Sequence, residues 1–225
     1  MQIGNNIPSA FTKVKNVKMY MYSRDYIVLS GADGSGKSAL SRILTSALAL
    51  RGPVCVHWLR GSHLLASVLA RLLSRFGVFC GNCNPYYKIC IPGKLRRLWA
   101  HLEFWSLLPH VFVRGLFARV CRFLVCDRGL LDFVVWVIVT LNYPGFLRSV
   151  YGRLLLGLAT RERPVYLYAD VDTLAKRADV SREFVARELA VYNVLARYVS
   201  KCWVDTGVGS PVDSVRAVWQ CLRLR

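Results

Sequence analysis

The segment Gly31-Ala32-Asp33-Gly34-Ser35-Gly36-Lys37-Ser38 sets three glycines, a lysine and a hydroxyl at a spacing that can wrap an oligophosphate. Glycines let consecutive backbone N–H groups curl around phosphate oxygens, and a helix starting at the lysine adds partial positive charge. Lys37 would reach the β- and γ-phosphates, and Ser38 would ligate Mg²⁺. The pattern G-x-x-x-x-G-K-[ST] is complete, with an apolar strand before it and a helix after it. This context identifies a P-loop for ATP and Mg²⁺, with Gly31, Asp33, Gly34, Ser35, Gly36, Lys37, Ser38 and Ala39 as its binding residues.

A second element is Phe123-Leu-Val-Cys-Asp127-Arg128, an apolar run ending in an aspartate. In a parallel sheet the carboxyl end of such a strand lies beside the P-loop, where Asp127 can hold Mg²⁺ through water. No Ser/His/Asp or Cys/His constellation competes with the P-loop. Phosphoryl transfer works by positioning and charge, and asks for no dedicated nucleophile.

The elements that must position these groups alternate between strand and helix from Tyr26 onward. Strands are expected at Tyr26–Ser30, Val54–Trp58, Phe123–Cys126, Val165–Ala169 and Cys202–Val204. Helices are expected at Ser38–Leu50, at Leu64–Phe76, from Leu95 with a break or kink near Pro109, across 130–160, and at 181–199 and 212–223. A Gly, Asn, Pro and Cys-rich loop covers 77–94. The expected fold is a P-loop NTPase three-layer α/β/α domain over 25–225, with a five-stranded parallel sheet. No repeat or linker divides it. Residues 1–24 read as a polar N-terminal arm or a mis-assigned start.

The 225 residues suffice for one α/β core. Hydrophobic residues make up 54% and mean hydropathy is +0.33, yet no run reaches the roughly 18 residues a membrane span needs. Phe133–Leu141 reads as a buried helix. The N-terminus lacks the apolar run of a secretory signal, so a reduced cytoplasmic setting is expected for the eight cysteines. Cys80 and Cys83 form a lone CxxC without a second ligand pair, and ordinary thiols are the reading. His57, His63, His101 and His110 show no metal spacing and are read as structural. The net charge of +18 suits polyanions, but membrane is not expected as a partner and nucleic acid is not favoured. Tyr86 and Tyr87, with Trp99, Phe104 and Trp105, are either core or the wall of a site for a planar ring.

Beyond these readings, the chain resembles the thymidylate kinases among nucleoside monophosphate kinases. The resemblance rests on Asp33-Gly34-Ser35-Gly36-Lys37, Asp127-Arg128, Val165 to Asp172, Arg182 to Ala196 and Trp203 to Thr206, and covers about residues 25–224. It implies a small-molecule acceptor, a nucleoside monophosphate and foremost dTMP, and by analogy a homodimer. Asp33 would contact the acceptor's sugar hydroxyl and Arg128 its phosphate, and lid arginines Arg177 and Arg182 would join Lys37 in transfer. Two departures leave the acceptor open. Arg60-Gly61-Ser62-His63 replaces the family's stretch after strand two, and Leu102 to Ser106 lacks its acceptor-gripping arginine, for which Arg60, Arg97 or Arg114 would have to substitute. A nucleoside or other metabolite, or an ATPase on nucleic acid, are the alternative readings.

Overall fold

The computed structural model describes residues 25–59 and 61–222, so the expected arm at 1–24 and Arg60 lie outside the described residues. Strand β1 (Asp25–Ser30) is central, with β2 (Val54–Trp58), β4 (Phe123–Asp127), β5 (Val165–Tyr168) and β6 (Cys202–Asp205) around it. The order is β2-β4-β1-β5-β6, every pairing parallel, as expected for a P-loop NTPase-like α/β fold. Helices on both faces exclude water from the sheet, which is why the inner strands are near-continuous apolar runs. β4 is buried at every position.

Helix α1 (Lys37–Ala49) buries Leu40, Leu44 and Leu48 with Val218 of α8 (Pro211–Leu222) against one face. On the other face lie α3 (Arg96–Val120), α4 (Leu130–Leu141), α5 (Val150–Glu162) and α7 (Arg182–Val199). All residues of α4 are buried, the environment that an all-round apolar helix requires. Among the described residues no helix is long and apolar enough to cross a membrane.

Several local expectations need correction. Helix α3 runs unbroken through Pro109, whose ring sits on the solvent side where water can take the orphaned carbonyl. The stretch 77–94 is not structureless: β3 (Cys80–Asn84) bridges back to Ile89 in antiparallel fashion. Helix α2 (Leu64–Leu73) ends three residues early, and a short α6 (Val171–Arg177) follows β5.

The cysteines also depart from expectation, because Cys55–Cys121, Cys83–Cys90 and Cys202–Cys221 are disulfides and only Cys80 and Cys126 are thiols. The fold brings these partners together from separations of 66, 7 and 19 residues, which the Cys80/Cys83 spacing does not reveal. Cys83 instead faces Cys90 across the hairpin that β3 begins.

Candidate functional site

At the carboxyl end of β1 the chain turns through Gly31–Gly36 into α1. Gly34 and Gly36 take positive φ of 83° and 79°, values that a Cβ disfavours. At Gly34 an added Cβ would also strike the Leu174 carbonyl, so the loop passes flush against α6. No side chain caps α1, which leaves its first N–H groups open to an anion at a positive dipole end.

Lys37 is buried and its Nζ donates to the carbonyls of Gly31 (2.7 Å) and Ala32 (2.8 Å) and to Ser35 Oγ (3.2 Å). Burial, then the neighbouring Arg128, lowers its pKa. The ammonium is thus folded into the loop that phosphates would fill. Ser38 and Ala39 open to solvent at the first turn of α1.

Ser38 Oγ donates to Asp127 Oδ2 at 2.6 Å, joining α1 to the end of β4. Asp127 Oδ1 is buried without a hydrogen-bond partner among the described residues. A hard divalent cation takes oxygen donors and commonly shares them with substrate phosphates. The serine–aspartate pair, with that uncompensated oxygen, fits such an ion. Among the described residues no cluster of three or more His, Cys, Asp or Glu could hold a metal alone, so phosphates would complete the shell.

Arg128 follows Asp127 with φ of 79°, a left-handed conformation costing a non-glycine residue roughly 1–2 kcal/mol. It is pinned by its N–H on the Leu29 carbonyl (2.9 Å) and by Arg114, which donates to its carbonyl at 2.9 Å. The conformation turns its guanidinium onto Asp33 Oδ1 at 2.5 Å. Burial would raise the Asp33 pKa, but Arg128 and Lys37 outweigh it and hold the carboxyl at about 2. The Tyr86 hydroxyl donates to the other oxygen, Asp33 Oδ2.

The remaining sequence candidates fall into place as follows. Arg177 donates to the Thr206 carbonyl at 2.9 Å, and Arg182 pairs with Asp172 at 2.8 Å on the surface. They flank the four-residue connection 178–181 between α6 and α7. Arg114 cannot stand in for the missing acceptor arginine. It is buried, bonds Glu162 at 2.8 Å, His57 Nδ1 and Tyr26, and so works as an internal strut. Glu103 is buried where the resemblance implies that arginine, taking bonds from Ser62 (2.5 Å) and Trp99 (3.0 Å), and burial lifts its pKa to about 7. Trp99 and Phe104 belong to the core, while Trp105 points outward.

Tyr86, which bonds Asp33, also lines an open cleft of about 530 Å³ together with Trp58, His63, Arg71, Tyr87, His110 and Trp136. Tyr86 and Tyr87 thus belong to a cleft wall. His63 and His110 are part of that lining, their rings 4.2 Å apart, with the His57 ring 5.8 Å from His110. Burial, with the charges of His110, His57 and Arg114, lowers the His63 pKa to about 3, so the ring is neutral at physiological pH.

Sequence reading missed two carboxylates that build this end of the sheet. Asp132 accepts from Ser30 Oγ (2.5 Å), the Gly31 N–H (3.2 Å), the Gly129 N–H (2.7 Å) and Tyr192 (2.7 Å). Being the one charge inside the apolar run 130–141 was its signal. Glu188 of α7 accepts the Asp33 N–H at 2.9 Å, and burial followed by the Asp33 charge raises its pKa to about 8. Its helix offers no comparable signal.

No family model matches this chain, and no curated protein does. Among solved structures it is similar to thymidylate kinase from Candida albicans, a protein described for its broad substrate specificity and a novel structural element. The TM-score is 0.55 at 14% identity, over 89% of this chain and 92% of that one. At that identity the likeness establishes a kinase-like fold.

Proposed function

We propose that this chain is a Mg-ATP-dependent nucleoside monophosphate kinase that passes the γ-phosphoryl group of ATP to dTMP, giving dTDP and ADP. The observation that carries the reading is the Asp33–Arg128 pair, which stands between an uncapped P-loop and an aromatic cleft. A phosphate donor on one side and an acceptor on the other would meet across it.

Backbone N–H groups of Gly34, Gly36, Lys37 and Ser38 bind the β- and γ-phosphates, while those of Gly31 and Asp33 stay on Asp132 and Glu188 and hold the loop's shape. Lys37 leaves its loop carbonyls for the phosphates. Ser38 and Asp127 would hold Mg²⁺, which when bound neutralises charge developing on the phosphate oxygens. Arg128 orients the acceptor phosphate and Asp33 the acceptor sugar. Arg177 and Arg182 exchange their Thr206 and Asp172 contacts for the transferring group as the 178–181 connection closes. A guanidinium suits that charge because it spreads over several oxygens. Exclusion of water at closure keeps ATP from hydrolysis. The reading also places the enzyme in the cytoplasm and takes a second copy of the chain as its partner.

A second reading changes only the acceptor, to a nucleoside or other unphosphorylated metabolite. Arg114 is committed to Glu162, and Glu103 stands where an acceptor arginine would, which favours it. Both readings are tested by ADP formation with Mg-ATP and dTMP, thymidine or no acceptor. Stimulation by dTMP alone supports the first and stimulation by thymidine the second, while acceptor-independent turnover rejects both. Lys37→Ala, expected to lower turnover about 100-fold or more, excludes a contaminating kinase.

A further inference from the structure

Two aromatic residues of the cleft wall, Tyr86 and Tyr87, come from a small structure. β3 and the return strand make a hairpin held by two bridges to Ile89, with Gly81 N–H on the Lys88 carbonyl (3.0 Å) and Cys90 N–H on the Phe79 carbonyl (2.7 Å). A lone two-stranded hairpin is marginal in water. At its tip Asn84 Oδ1 accepts the N–H groups of Tyr86 (3.2 Å) and Tyr87 (3.3 Å). This seats the Tyr86 hydroxyl on Asp33, its ring 5.7 Å from Trp136, and brings Tyr87 into the cleft lining. The Cys83–Cys90 disulfide closes this tip, and the Cys83 N–H points at Cys90 Sγ at 3.1 Å. Both cysteines are half-buried and so remain open to thiol exchange.

We propose that the Cys83–Cys90 pair is a thiol switch on the acceptor side of the site: crosslinked, it holds Tyr86 and Tyr87 in the cleft wall; reduced, it releases them. The inference rests on the cleft being the acceptor site. It draws also on the cytoplasmic reading proposed above, since disulfides of cytoplasmic proteins are commonly redox-sensing. The chemistry balances as ordinary exchange. One cysteine thiolate attacks a small-molecule disulfide and expels one thiolate; the second cysteine attacks the mixed disulfide and expels the other. Protein dithiol and oxidant become protein disulfide and two thiols, and a dithiol reductant reverses the sum. Asp33 keeps Arg128 in both states, so the ATP side of the site is expected to change little.

The test uses the full chain with Cys80→Ser, which removes the neighbouring exposed thiol. It is taken through glutathione disulfide and dithiothreitol, with hydrogen exchange over 80–90 and the KM for dTMP as readouts. On reduction, exchange at Tyr86 and Tyr87 should rise and KM should rise about tenfold at nearly constant ATP KM, the loss of one hydrogen bond and its ring contact. Cys83→Ser/Cys90→Ser should resemble the reduced protein under both conditions, and Cys202→Ser/Cys221→Ser should stay responsive. Unchanged exchange across the hairpin overturns the switch, as does a response that survives in Cys83→Ser/Cys90→Ser. If no monophosphate is phosphorylated, the kinase reading fails separately, and hairpin exchange still decides whether the disulfide governs the wall.

Discussion

Asp33 Oδ1 lies 2.5 Å from the Arg128 guanidinium, although 95 positions separate the two residues. β1 and β4 are adjacent parallel strands, with Leu29 in register with Asp127, so the loops leaving them are held face to face. The left-handed turn at Arg128 then aims its side chain inward. Sheet register, local strain and the charge pair therefore form one device.

Asp33→Asn should cost about 2 kcal/mol at pH 7, because it leaves the partly buried Arg128 facing a neutral amide. The Asp33 pKa is held at about 2, below its ordinary 3.8. A depressed carboxyl contributes stability above its unfolded pKa and loses it as pH falls toward the folded value. The gap between wild type and Asp33→Asn in denaturant unfolding should thus narrow below about pH 4 and close near pH 2. A gap that stays constant with pH would deny the ion pair a part in stability.

Gly34→Ala and Gly36→Ala should separate two reasons for glycine. Both positions have positive φ, but only Gly34 meets backbone, the Leu174 carbonyl, while Gly36 has Leu40 Cδ1 at 3.8 Å. Gly36→Ala should cost about 1 kcal/mol of strain. Gly34→Ala should cost upwards of ~2 kcal/mol and weaken ATP binding more, since the loop must move off α6. Thermal unfolding and nucleotide titration of the two variants check the order, and equal losses would contradict it.

The P-loop, the strand sequence and the buried helix over Phe133–Leu141 were legible because each is local: a spacing, an apolar run, a periodicity. The partners of those residues were not. Glu188 meets the Asp33 N–H only after α7 folds back across the sheet, and Arg114 reads as a free cation until Glu162 and His57 enclose it. The cysteine pairs fail for the same reason, because β2–β4 adjacency, the β3 hairpin and the packing of α8 on β6, not spacing, bring them together. Pro109 misled differently: its effect depends on which face of α3 it occupies.

The histidine cluster makes an acid-sensitivity prediction. Burial, with Arg114 and His110 nearby, lowers His57 to about 3, as burial and the same neighbours do His63. The groups facing the cluster are Arg114, His110 and, beyond Arg114, Glu162; Arg114 is the cation in direct contact with His57. A depressed histidine is neutral in the fold and protonated in the unfolded chain, so stability falls as pH drops below about 6.5. One unit below that value the pair should have lost roughly 2–3 kcal/mol, about 1.4 for each ring. His57→Gln/His63→Gln should flatten the decline between pH 7 and 5 in urea melts, and an unchanged slope would mean the rings titrate normally.

Helix α3 makes the last prediction, and it concerns the second copy. Leu98, Trp105, Leu108, Phe112 and Leu116 recur every three to seven residues on its outward side, all exposed, with Trp105 at 61% and Phe112 at 69%. Between Arg97 and Arg119 the helix carries two formal charges, Glu103 and Arg114, and both are buried. An acidic or nucleic-acid partner would find no exposed Lys or Arg along that ridge. An identical ridge matches it, as a two-fold contact requires of a surface that meets itself. The stripe rises about 27 Å along the axis at 1.5 Å per residue, enough for a helix-on-helix interface. Sedimentation should therefore give a dimer at micromolar concentration, and Trp105→Glu/Phe112→Glu a folded monomer. Val208→Glu, an exposed apolar residue elsewhere, should leave the dimer intact. A wild-type monomer at tens of micromolar would remove the second copy as this ridge's partner.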